Sequence, residues 1–166
     1  MKSASSLMIL PLILAGFLLG VTAAQADPLS ITLFAPDQTG LPGDILSFDA
    51  KVTNDSSEVV YLNGDFALVG SPLTVDDGPY FSGYPLTLDA GESYTGVLFD
   101  VKIPSGAPEA LYSGYFEITG GAGAGDGGEV GLANFNVQVA PEPSSLLLLA
   151  SGLAAFAGII RRRMIR

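Results

Sequence analysis

The chain has 166 residues and a net charge of −10, from 17 Asp and Glu against 7 Lys and Arg, and it contains no Cys, His or Trp. Those absences exclude disulfides, zinc sites built on His or Cys, Cys nucleophiles and Ser-His-Asp triads. All 17 acids lie between Asp27 and Glu142 with only Lys51 and Lys102 among them, so this stretch stands at −15, which argues against nucleic acid as a partner because phosphate binding needs Lys and Arg to displace counterions.

Met1 to Ala26 reads as a secretory signal peptide. Lys2 supplies the positive start, and Leu7 to Val21 is an uncharged apolar run. Ala24-Gln25-Ala26 has the A-x-A form of a signal peptidase site, with Ala24 and Ala26 as the small residues that are read. Asp27 then opens the exported chain. The apolar run is shorter than the roughly 20 residues of a typical span, which favours cleavage over an uncleaved anchor. The destination would permit disulfides. A chain without cysteine must hold itself by apolar burial alone.

Residues 27–139 are rich in Gly, Pro, Asp and Ser, and clusters of these separate short runs of period 2. Leu29 to Phe34 is the first predicted strand. Pro36 to Gly43 is a turn region. Ile45 to Thr53 follows, and its apolar residues Ile45, Phe48 and Val52 do not share one parity, which predicts a bulge between 46 and 48. Asn54 to Ser57 is a polar turn. Asn54-Asp55-Ser56 also has the form of a glycosylation acceptor, and the turn reading is preferred. Val59 to Leu62 and Phe66 to Val69 are short strands joined through Asn63-Gly64, the strongest hairpin signal in the chain. Ser71 to Pro85 reads as a loop carrying Tyr80, Phe81 and Tyr84. Tyr94 to Ile103, Leu111 to Thr119 and Leu132 to Val139 complete about seven strands. In the last two, Tyr112, Phe116 and Ile118, and Phe135, Val137 and Val139, form the core faces. No stretch sustains a helical period. The expected fold is all-β: an antiparallel β-sandwich of immunoglobulin-like type.

The acids offer candidates for chemistry. Two facing carboxylates make a glycosidase-like hydrolase conceivable, and Asp76-Asp77 is the obvious pair. Adjacent strand residues point apart, however, and a chain with so many acids makes pairs by chance. Calcium takes oxygen ligands from loops, and Asp76, Asp77, Asp126 and Glu129 are its candidate ligands. Gly120 to Gly128 lacks the spacing of an EF-hand, and it lacks a lysine and a following helix for phosphate. It reads as a flexible loop between the last two strands. Tyr80, Phe81 and Tyr84 are candidates for a sugar platform, although loop aromatics more often cap a sandwich end.

The last segment, 140–166, has three parts. Pro141-Glu142-Pro143 is a stiff polar joint, Ser144 to Ile160 carries no charge, and Arg161, Arg162 and Arg163 follow. As a helix, 144–160 would reach about 25 Å at ~1.5 Å per residue, and arginines at its end can snorkel to the headgroups. Cations just past a span hold that end in the cytoplasm, so the acidic body belongs on the far side of the inner membrane.

These three parts in this order resemble the PEP-CTERM sorting domain. The resemblance implies processing by an exosortase, a membrane-embedded enzyme that recognises Pro141, Glu142 and Pro143. It also implies a membrane-anchored precursor and a mature product at the cell surface, in bacteria that make exopolysaccharide and biofilm matrix. The resulting expectation is a non-catalytic structural or adhesive protein with no cofactor, Ca2+ being the one candidate. The alternatives are a secreted carboxylate-dependent hydrolase, or a subunit whose exposed strand edge pairs with a partner chain.

Overall fold

The computed structural model describes residues 27–141, 148, 149 and 151–153. Ala24, Ala26, Glu142, Pro143, Arg161, Arg162 and Arg163 lie outside these residues, as does most of 144–160. Among the described residues no helix is long and apolar enough to cross a membrane.

The elements in chain order are β1 (Leu29–Leu33), β2 (Asp37–Gly40), β3 (Ile45–Asn54), β4 (Val60–Val69), β5 (Thr74–Asp76), α1 (Gly78–Gly83), β6 (Thr87–Leu88), β7 (Ser93–Lys102), β8 (Ala110–Gly121) and β9 (Gly128–Val139). One sheet has the order β1-β3-β7-β5 and the other β2-β9-β8-β4-β6. The first is the A-B-E-D order of an immunoglobulin-type sandwich, and β9-β8-β4 is its G-F-C order. The predicted all-β sandwich is therefore what the chain forms. β2 pairs with β9 in parallel, and the other strand pairs are antiparallel.

Two turns open the long strands of the first sheet, and they are built alike. Leu41-Pro42-Gly43-Asp44 precedes β3, and Asp89-Ala90-Gly91-Glu92 precedes β7. Gly43 has φ 97° and Gly91 φ 75°, a region that favours glycine in a turn's third position. In each, the closing acid folds back: Asp44 Oδ2 accepts the Leu41 N–H at 2.8 Å and Glu92 Oε2 accepts the Asp89 N–H at 2.8 Å.

Inside, Phe48 and Phe99 from one sheet meet Phe116 and Phe135 from the other. Phe99 stacks on Phe48 at 4.8 Å and on Phe116 at 4.9 Å, and lies 4.8 Å from Phe135. All four rings are buried. Each removes a large apolar area from water, and such ring pairs contribute roughly 0.5–1.5 kcal/mol beyond that area.

Four sequence expectations change. The predicted turn region Pro36 to Gly43 holds β2, which pairs with β9 over Asp37–Gly40, and only its end is a turn. β3 has no slip: Leu46, Phe48, Ala50, Val52 and Asn54 all face inward, and Ile45 is exposed. The bulge is on the partner strand, where Phe48 pairs with Phe99 but Asp49 pairs with Val97, so Leu98 is the extra residue. Asn63-Gly64 is not a hairpin turn but the interior of the continuous strand β4, with the register shift between Leu62 and Gly64. An Asn-Gly pair suits a bulge as well as a turn, since both need a residue without a bulky side chain. Finally, the predicted loop Ser71 to Pro85 holds β5 and α1. Six residues are too few to show a helical period, but Pro79 fits the first turn, where a missing N–H does no harm.

α1 closes one flank of the sandwich. Tyr80 and Tyr84, four apart, face the core together and are both buried. The Tyr80 hydroxyl donates to the Gly64 carbonyl at 3.2 Å, and the Tyr84 hydroxyl reaches the carbonyls of Ala50 and Gly96, each at 3.1 Å. Of the three aromatics only Phe81 is exposed, so they cap the core and form no platform.

Candidate functional site

The junction between body and tail is the first site. β9 lies inside its sheet, with β2 on one side and β8 on the other. Its pairing ends at Val139. The Ala140 N–H then donates to the Gly40 carbonyl at 2.9 Å. Pro141 follows, exposed, and without an N–H it cannot extend the ladder along β2. The pairing of the body therefore stops at Ala140 for a chemical reason. Residues 148, 149 and 151–153 are helical, and Leu148, Leu149 and Leu153 are exposed, not buried in the sandwich. Every buried core residue of the described chain lies between Leu29 and Val139.

The four candidate calcium ligands do not converge. Asp76 ends β5 and is ion-paired to Lys102, the one ion pair among the described residues. The hydrogen bond from Lys102 holds the Asp76 carboxyl below its ordinary range, with a second bond from the Gly78 N–H at 3.0 Å. Asp77 is exposed at the start of α1. Asp126 lies in the β8–β9 loop, where its Oδ2 accepts the Gly123 N–H at 2.8 Å. Glu129 is exposed near the start of β9. Among the described residues no three acids form a group that could hold a metal ion. The glycine-rich loop is held in place by Asn63 of the β4 bulge, whose side-chain amide donates to the carbonyls of Gly123 at 2.8 Å and Asp126 at 2.9 Å.

A groove of about 420 Å3 runs between β4 and the segment of β5. It is lined by Asp65, Phe66, Ala67, Leu68 and Val69 of β4, by Leu73, Thr74 and Val75, and by Asp77. Consecutive residues of a strand point alternately to its two faces, so a groove touched by five in a row follows the strand's edge. β6 covers that edge at Val60 and Tyr61, and the Leu62 N–H donates to the Leu86 carbonyl at 2.9 Å. Asp65 is half-buried at one end. Burial pushes its carboxyl up to about 6, and the nearby Asp77 charge adds to the shift. The sequence reading missed Asp65 because the hairpin assignment placed it in a turn. On the outer face of the same sheet, Phe66, Leu68 and Leu132 are exposed, and Phe66 lies 6.0 Å from Tyr115.

Known proteins add one assignment. Residues 139–163 match the PEP-CTERM protein-sorting motif. The sorting motif thus begins on the last residue of β9, where the sandwich ends. It marks the chain as an exported protein and a substrate for an exosortase-type enzyme. No curated protein matches the sequence. Among solved structures, the secreted serine protease VesC from Vibrio cholerae is 16% identical with TM-score 0.42, over 69% of this chain and 24% of that one. This chain thus spans about a quarter of the protease's length. The CARDB domain of the PF1109 protein from Pyrococcus furiosus is 16% identical with TM-score 0.38, over 68% of this chain and 85% of that one. The seventh ScaB type I cohesin from Pseudobacteroides cellulosolvens is 13% identical with TM-score 0.37, over 69% and 93%.

Proposed function

We propose that the chain is a non-catalytic surface or matrix protein, delivered through its sorting motif and released as a finished β-sandwich. Its mature role is structural or adhesive, in an exopolysaccharide or biofilm setting. The observation that carries this is the coincidence of two boundaries: the sorting motif starts where the last strand and the last core residue end. Among the described residues, the core is complete without the tail. The half-buried Asp65 near Asp77 is what speaks for the rival carboxylate-dependent hydrolase. The pair sits at the end of a strand-edge groove, and the neighbouring Asp76 is already neutralised by Lys102. That arrangement suits binding better than bond cleavage.

The test is expression of the full chain in a bacterium that has an exosortase and in the same strain without it. The expected result is a mature protein that starts at Asp27, has lost 144–166 and lies outside the cell, with processing lost in the second strain. Replacing Pro141, Glu142 and Pro143 by alanine should have the same effect as removing the enzyme. A variant that is still trimmed and released normally would overturn the proposal.

A further inference from the structure

The flank groove has features of a site for another chain. The two strands that border it each have an unpaired outer edge along its length. On the β4 side the open stretch runs from Asp65 to Val69, because β6 stops at Tyr61 and the Tyr80 hydroxyl takes the Gly64 carbonyl. At about 3.4 Å per residue this edge is ~17 Å long, enough for four or five residues of an added strand. On the other side β5 pairs only with β7. Leu73 is buried, and Ala67, Val69 and Val75 are partly buried against the core, so the floor is apolar. Phe66 and Leu68 stand at the outer rim, where they would flank the side chains of an incoming strand.

Charge selects the occupant further. Asp65 and Asp77 line one end of the groove, and among the described residues no cation lines it with them, since Lys102 is paired with Asp76 and Lys51 sits on β3, outside the groove lining. A half-buried carboxylate without a counter-charge is stabilised by any partner that brings one. The occupant that satisfies edge, floor and charge at once is an extended peptide with alternating apolar residues and a lysine or arginine.

We infer that the β4–β5 flank is a strand-addition site for an extended, cation-bearing segment of a partner protein, which pairs with β4 from Asp65 to Val69 and sets its cation against Asp65 and Asp77. The inference rests on the reading of the body as a non-catalytic binding module, but not on the sorting route, and its readout is peptide binding and not secretion.

The core of residues 27–140 closes on itself, so that body can be used alone. The probe is a synthetic capped peptide of about eight residues, alternating threonine and valine with one central lysine. The expected result is a set of amide NMR shifts confined to residues 65–69 and 73–77. Exchanging the peptide's lysine for glutamate should weaken binding about ten-fold, the scale of one charge-assisted hydrogen bond. N-methylation of the peptide backbone should abolish it. The double variant Asp65→Asn, Asp77→Asn should keep the fold and its strand pairing with the peptide but bind the lysine and glutamate peptides equally. No shifts at about 1 mM peptide, a scale that marks only ~4 kcal/mol of binding, would overturn the inference. So would shifts elsewhere on the sandwich, or equal binding of the two peptides by the unaltered body.

Discussion

Asn54 is the one fully buried polar side chain among the described residues, and replacing it tests how the tail-distal end of the sandwich is held. Its Nδ2 lies 2.8 Å from the Glu58 carbonyl, 2.9 Å from that of Leu88 and 3.1 Å from that of Asp89. Its Oδ1 accepts the Ser56 N–H at 2.9 Å and the Ser56 hydroxyl at 2.7 Å. One amide thus ties the β3–β4 turn to the turn before β7. Asn54→Ala takes a buried donor from the Leu88 carbonyl, at about 1.5 kcal/mol, and loses four part-exposed bonds at about 0.5 kcal/mol each. The expected loss is about 3–4 kcal/mol, a large share of a domain's usual 5–15. At this size that lowers the melting midpoint by roughly 15 °C. Urea unfolding of residues 27–140, followed by tyrosine fluorescence and circular dichroism, measures it. Ser56→Ala is the control, since it keeps the amide and should lose about 1 kcal/mol. A loss for Asn54→Ala no larger than that of the control would refute the reasoning. The same burial removes Asn54 as a glycosylation acceptor, as the turn reading preferred.

Asp65 makes stability depend on pH. Its folded pKa of about 6 lies above the unfolded value near 3.8, so the folded state holds the extra proton between these values. Stability therefore falls as pH rises from about 4 to about 6 and is level above that. After discounting for the solvent that reaches this half-exposed group, the effect is about 1 kcal/mol. Asp65→Asn should raise the unfolding free energy by that amount at pH 7.5 and leave it nearly unchanged at pH 4, and equal effects at both values would count against the burial account. Glycines give a steric prediction. A Cβ on Gly120 would lie 1.8 Å from the Tyr61 carbonyl oxygen, whereas one on Gly125 meets nothing within 4 Å. Gly120→Ala should destabilise by about 3 kcal/mol by forcing β4 and β8 apart, and Gly125→Ala should be neutral in the same unfolding experiment.

The sandwich is legible because most strands carry one buried face. Phe116, Ile118, Phe135, Val137 and Val139 could be assigned to the core from parity alone, and all are buried. The two Gly-acid turns leave a residue signature of their own, a glycine at positive φ followed by a closing carboxylate. What parity cannot show is which strand of a pair carries an irregularity. The mixed apolar pattern of β3 pointed to a bulge there, but the extra residue is Leu98 on β7, where Leu98 and Phe99 are both buried. Asn63-Gly64 misled for a related reason. Its local preference for a turn is overridden by the pairing of β4 with β8 on both sides of it. That override is what placed Asp65 on a strand edge and kept the groove out of reach of a sequence reading. The pairing of Asp76 with Lys102 and the embedding of Asn54 are likewise contacts between residues far apart in the chain, which spacing does not encode.

The join of tail and body follows from where β9 sits. A handle attached to an edge strand could peel that strand away when the membrane end moves. Here a pull on the tail would enter β9, which is hydrogen-bonded on both sides, to β2 over Asp37–Gly40 and to β8 over Ala110–Gly120. Its inward residues Val130, Ala133, Phe135, Val137 and Val139 are all buried, so drawing the strand out would expose much of one core face. Pro141, without an N–H, cannot carry the pairing further along β2. A removable anchor must leave the stability of its body unchanged, and among the described residues every buried core side chain lies before Ala140.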